Sequence, residues 1–320
     1  MTPQENYFRA VEFRCPAWIP VHVSLMPATW SKYREDLEEI VLRHPRIFGP
    51  YKKGSRKFDE FSGTYREGEY VDEWGCVWKN ISPGLDGIVV GHPLESWEAF
   101  EDYKPPEPGE HLPHGFMFQR LYYLRGFENL MIDFAEEPPQ LRKLIDMVLS
   151  YNLAVVRKWV SRKPRPKIVH FGDDLGMQDR LPISPETFRK YLKPCYEKIF
   201  GMCREAGIHV YFHSDGHILE IIGDLIDCGV TVINPQIRAN TLDGIVRECK
   251  WKVCVNLDLD RQLFPFCTPK DIDEHVKEAV VKLGSKYGGL MLTAECEPDV
   301  PLENIEAICQ ALEKYMFYYS

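Results

Sequence analysis

A chain of 320 residues, 44% hydrophobic and 27% charged, has enough apolar material for the core of one large α/β barrel or of two smaller domains. Its formal charge of −9 and pI near 5.6 exclude the basic stripe that nucleic-acid binding requires, so no RNA or DNA partner is expected. Glu5, Arg9, Glu12 and Arg14 interrupt any apolar signal core at the start, no stretch is long and charge-free enough to span a bilayer, and ten cysteines without a CxxC pair suit a reducing compartment. A cytoplasmic protein with no membrane partner is the expectation.

In chain order, Trp18–Leu25 (WIPVHVSL) reads as a first barrel strand, and a helix is predicted near Ser31–Arg43 with Leu37, Ile40 and Val41 on one face. Arg46, Lys52, Lys53, Arg56 and Lys57 form a basic run that either grips an acidic group or is a solvated loop, the second being the simpler account. The aromatic stretch Phe58–Pro93 contains short β-like pieces, YVDEWGCVW and GIVVGH, that predict hairpins rather than crossover units. Pro105–Gly109 marks a surface loop, and Pro138–Arg162 reads as a helix.

From Pro166 onward the chain alternates strand and helix. The strands are Ile168–Asp174 (IVHFGDD), Val210–Asp215 (VYFHSD), Val230–Gln236 (VTVINPQ), Val253–Asp258 (VCVNLD) and Leu290–Cys296 (LMLTAEC), each an apolar run that ends in polar residues. Ser184-Pro185-Glu186 and Thr268-Pro269-Lys270-Asp271 carry helix-start signals, while Gly207 and Gly288-Gly289 carry stops. This alternation predicts right-handed crossovers, a parallel sheet and an active site past the C-terminal strand ends. The whole chain, 1–320, is expected to be a single barrel domain with an N-terminal elaboration over its mouth.

The candidate chemistry sits at those strand ends. His213 and Asp215, two apart in extended backbone, can project to one side, and Glu295 and Cys296 end another strand. Imidazole, carboxylate and thiolate are a reasonable catalytic zinc set, although by spacing alone a strand-end Cys is as readily a small core residue. Asp173 and Asp174 either work as general acid and base or serve locally, one capping a turn and the other meeting a cation such as Arg180. Asn234, Gln236, Asn256 and Asp258 offer neutral and acidic partners for a polar substrate, or satisfy loop backbone.

Taken together, the passages DEWGCVW, HPLESWEAFEDYKPPEP, LRGFENLMIDFAEEP, GDDLGMQDRLPISPETFRKYLKPCYEKI, HSDGHILEIIGDLIDCGVTVINPQ and PLENIEAI resemble the uroporphyrinogen decarboxylase-like superfamily, and its corrinoid-linked methyltransferases more than its porphyrin decarboxylases. The resemblance implies a (β/α)8 TIM barrel. The decarboxylases hold their polyanionic tetrapyrrole with arginines of an N-terminal segment, whereas the similar stretch Pro20–Pro27 here has no arginine. The zinc methyltransferases use a His-x-Cys pair and a later Cys, and this chain matches the first and last at His213 and Cys296 but has Asp215 at the middle position.

What the resemblance implies is a zinc- and corrinoid-linked methyltransferase that moves a methyl group between a small methylated substrate, such as an aryl methyl ether in O-demethylation, and cobalt. His213, Asp215 and Cys296, with Glu295 as candidate fourth ligand, would hold the zinc, Asp173 or Asp174 would manage the proton, and a separate corrinoid (cobalamin) protein would be the partner. A second copy of the chain, as a homodimer, is a further candidate partner; the alternative functions are a decarboxylase of a small organic acid or tetrapyrrole and a tetrapyrrole-binding relative without activity.

Overall fold

The computed structural model describes residues 1–320, which divide into two compact units. The first comprises residues 1–67, 80–87 and 235–320, the second residues 68–79 and 88–234. Nine strands form: β1 Val21–Leu25, β2 Gly68–Val71, β3 Val77–Asn80, β4 Ile88–Gly91, β5 Ile168–Gly172, β6 His209–Ser214, β7 Val232–Pro235, β8 Cys254–Asp258 and β9 Leu290–Cys296. No helix is long and apolar enough to cross a membrane.

Six strands hydrogen-bond in the order β1-β9-β8-β7-β6-β5, and β2, β3 and β4 make a separate three-stranded sheet. β1 with β9, β8 with β9, and β5 with β6 pair in parallel, as the alternating pattern requires. The sheet thus has six strands where the TIM-barrel expectation has eight. Between β1 and β5 the chain puts its β structure into β2–β4, each four residues long, and β3 and β4 run antiparallel. Pieces this short, broken by Gly, Pro and Asp, cannot supply the continuous apolar run of a doubly covered strand. The hairpin expectation for Phe58–Pro93 is met: Asp72 turns the chain by accepting from the backbone N–H groups of Trp74 and Cys76, both at 2.9 Å.

In the first unit the predicted early helix runs over Pro27–Arg43 and buries Leu37, Ile40 and Val41. Helix Pro269–Leu283 starts on a capping box in which Thr268 and Asp271 satisfy each other's backbone N–H groups. It packs along helix Leu302–Tyr315 through buried Val276, Val280, Ile305 and Ile308.

The core of the second unit is aromatic. Helix Lys193–Glu205 brings Tyr196 and Phe200 against Phe212 of β6 and Phe116, and Phe200 also meets Phe171 of β5. Ring pairs of this kind contribute roughly 0.5–1.5 kcal/mol each beyond the area they bury. Helix Pro139–Ser161 packs on the same helix with Leu144, Ile145, Val148 and Val155 buried. This packing holds β5 and β6 rigidly from behind.

Candidate metal centre

β5 and β6 end side by side, with Gly172 in register with His213. The segments that follow stay together: Asp173 N–H donates to His213 C=O at 3.1 Å and His217 N–H to Met177 C=O at 2.7 Å, while Ser214 Oγ accepts from Leu175 N–H at 2.9 Å. Their backbones touch. A β-carbon on Gly176 would lie 2.4 Å from His217 N, and one on Gly216, where φ is +79°, would lie 2.4 Å from Gly176 C. Only glycine fits either position.

This juxtaposition gathers Asp174, His213 and Asp215, whose ligand atoms all lie within 4.8 Å of one another. His213 Nδ1 lies 2.7 Å from Asn234 Oδ1, an acceptor, so that nitrogen carries a proton. Nε2 faces Asp215 Oδ1 at 3.1 Å. An imidazole whose Nε2 faces one carboxylate, with a second carboxylate beside it, is a donor set that a divalent cation takes in exchange for the ring's Nε2 proton. Two carboxylates and one imidazole suit a divalent ion that accepts oxygen and nitrogen, zinc included, and the Asn234 contact is the orienting support that metal-binding histidines have.

Asp174 is held from several sides. Its Oδ2 accepts from His114 Nε2 and from Gln119 Nε2, both at 3.0 Å, and its Oδ1 from Asp215 N–H at 2.8 Å. Burial pushes its pKa up, but the hydrogen bond and charge of His114, the charge of His213 and the Asp215 N–H outweigh burial and hold it below the ordinary carboxylate value. His114 is the mirror case: burial opposes its charge, yet the hydrogen bond and charge of Asp174 raise its pKa above that of a free imidazole. With 47% of its side chain exposed, His114 remains within reach of solvent.

Residues 117–315 match the family described as uroporphyrinogen decarboxylase (URO-D). The chain belongs to this family. Among solved structures it is similar over its whole length to a methyltransferase from Methanosarcina mazei, with 17% identity, 100% of both chains covered and a TM-score of 0.64, a likeness of fold. Xylanase B from Clostridium stercorarium F9, 11% identical over 90% of this chain and 88% of that one, has a TM-score of 0.38. Xanthomonas albilineans dihydropteroate synthase with 4-aminobenzoic acid, 14% identical over 45% and 52%, has 0.31, and these two carry no argument. No curated protein sequence matches the chain.

In this URO-D family member the remaining expected site residues have other work. Asp173 is fully buried, and its oxygens accept from the backbone N–H groups of Met117, Phe118 and Gln119 and from Tyr196 Oη at 2.6 Å. It caps helix Phe118–Arg125 from a strand end more than fifty residues away. Burial pushes its pKa up to about 6 against the pull of Tyr196 and the backbone donors. These contacts give Asp173 an anchoring role, and Arg180 pairs with Asp179 rather than with either candidate acid. Asn234 orients His213.

Gln236, Asn256, Asp258, Glu295 and Cys296 belong to the first unit. Asp258 and Glu295 accept from the Arg261 guanidinium at 2.8 and 2.6 Å. Gln236 C=O accepts from Asn240, and Asn256 stands opposite Met291 in the β8–β9 ladder. Cys296 follows Glu295 in an extended strand, so their side chains leave opposite faces of β9. The Cys296 thiol is completely buried, close enough to affect Cys309 of helix Leu302–Tyr315, and burial pushes its pKa far up. The Cys296 thiol and the Glu295 carboxylate therefore lie on opposite sides of β9. Sequence reading missed His114 and Gln119, which lie where no period marks them. The available signal was Gly172, a residue with no side chain at the very end of a buried strand, where something else must fill the space.

Proposed function

We propose that this chain is a methyltransferase of the URO-D family that holds a divalent metal, zinc by the family pattern, through Asp174, His213 and Asp215, and that it exchanges a methyl group between a small methylated substrate and the cobalt of a corrinoid (cobalamin) carried by a separate protein. The observation that carries the reading is the orientation of His213: Asn234 meets its Nδ1, which turns Nε2 toward Asp215 in a cluster with Asp174. When bound, the metal supplies Lewis acidity toward the oxygen of an aryl methyl ether. Asn234 keeps the ring of His213 from turning, Gln119 and Asp215 N–H hold Asp174 in place, and His114 Nε2 meets Asp174 Oδ2.

In O-demethylation the carbon–oxygen bond breaks with its electron pair going to oxygen, cobalt(I) supplies the pair for the new bond to carbon, and the phenolate takes up a proton. His114, half-exposed and paired with Asp174, is placed to pass that proton from solvent. A decarboxylase reading fares worse here. Two carboxylates at the strand ends repel a polyanionic acid, and Pro20–Pro27 offers no arginine to hold one.

The test mixes the zinc-loaded chain with a corrinoid protein in the cobalt(I) state and 2-methoxyphenol. Methyl-cobalt and catechol are expected together, both followed by absorbance. Release of carbon dioxide from an organic acid with no corrinoid present would replace this reading with the decarboxylase.

A further inference from the structure

Strand β6 alternates. Val210, Phe212 and Ser214 are buried, while His209, Tyr211 and His213 are only partly so. Phe212 packs on Tyr196 and Phe200 of the helix behind the sheet, so His209, Tyr211 and His213 project from the other face. β5 follows suit: Val169 and Phe171 are buried, and His170 and Gly172 share the face of Tyr211 and His213, their register partners. The rings of His170 and Tyr211 lie 4.7 Å apart between centroids at 48°. His170 is exposed.

A barrel interior is ordinarily filled by branched aliphatic side chains. Here the same face carries two imidazoles and a phenol next to the proposed metal ligands and keeps solvent access. Ring faces that are apolar with polar edges, on side chains that keep solvent access, suit the binding of a flat molecule.

We infer that His170 and Tyr211 form the platform on which the ring of a methoxylated phenol lies, with its methoxy group toward His213. Two residues along β6 place Tyr211 roughly 6.6 Å from His213 along the strand, about one substituted ring away. Gly172, across from His213, leaves the space beside it to His114, whose ring centroid lies 5.7 Å from that of His213, so the ring of the ligand lies on the Tyr211 side. The direction of the methoxy group rests on the metal centre proposed above, whereas binding of the ring does not.

The experiment therefore uses metal-free protein in EDTA, titrated with 2-methoxyphenol and followed by calorimetry and by saturation transfer to the ligand protons. Wild type binds, and Tyr211→Ala and His170→Ala each weaken binding about tenfold. Tyr211→Phe, which keeps the ring, stays within about twofold by the same reasoning, and methanol and dimethyl sulfide do not displace the ligand. Should Tyr211→Ala fail to fold, Tyr211→Leu carries the test with a similar apolar volume. No binding by wild type, or wild-type affinity in Tyr211→Leu, overturns the subsite. Ring binding without methyl transfer to cobalt supports the subsite and removes the methyltransferase reading; methyl transfer from methanol with no ring binding does the reverse.

Discussion

Gly172 and His114 share one space at the end of β5: a β-carbon on Gly172 would lie 2.3 Å from His114 Nδ1. The glycine is the room in which the imidazole sits, and Gly115 N–H seals the contact by donating to Gly172 C=O at 2.7 Å. Gly172→Ala should displace His114 from Asp174 while leaving β5 paired with β6. The expected outcome is a loss of about tenfold in zinc affinity, the scale for removing a support of a metal ligand, measured by competition with a chelator. Unchanged affinity would remove His114 from the account of the site.

The His114–Asp174 pair fixes a pH dependence for the metal-free protein. Asp174 titrates below its ordinary 3.8, so its contribution is present above that value and is lost as pH falls through the lowered pKa. His114 titrates above its ordinary 6.5, so its contribution is complete below 6.5 and is lost as pH rises through the raised pKa. The difference in Tm between wild type and His114→Ala should be largest between about pH 5 and 6 and should shrink toward pH 9. A difference that grows with pH would contradict the pairing.

Asp173 bears on stability rather than on chemistry. Asp173→Ala leaves three backbone N–H groups at the start of helix Phe118–Arg125 and the Tyr196 hydroxyl without their acceptor in a buried place. Denaturant unfolding at pH 7 should show a loss of about 2–4 kcal/mol, and Tyr196→Phe, which removes one donor, about 1 kcal/mol. Wild-type stability in Asp173→Ala would return the residue to the list of catalytic acids.

Metal content separates the present ligand set from the one the sequence suggested. Asp174→Asn and His213→Ala each remove one of three clustered donors and should abolish stoichiometric zinc, read by elemental analysis. Cys296→Ala only deletes a sulfur from the layer shared with Cys309 and should keep its zinc at a stability cost of about 1 kcal/mol. Loss of zinc from Cys296→Ala would restore the thiolate.

Much of the scaffold was legible because buried parallel strands announce themselves as apolar runs. β5 to β9 fall within two residues or so of the runs beginning at Ile168, Val210, Val230, Val253 and Leu290. Capping chemistry likewise marked the helix at Pro269 and the turn of helix at Pro185. The candidate cluster was legible as strand-end residues, with His213 and Asp215 read as metal ligands and Asp174 as an acid or base. Asp173 and Asp174 are adjacent and identical in type, and what separates their roles is a helix start at Phe118 and an imidazole at position 114, brought close by tertiary packing. For Cys296 the strand end gave only its height along the sheet, since the face a residue takes depends on register, which alternates at every step.

The contact between Gly176 and Gly216 has a consequence for how this site can change over time. With no space for a methyl group between their backbones, neither glycine can be replaced while the segments that carry Asp174 and Asp215 keep this approach. New metal preferences would have to arise by exchanging the side chains at positions 174 and 215 on an unaltered backbone, so the spacing between donors would outlast their identity. A descendant with cysteine at 215, or an ancestor that had one there, would present it from the same place.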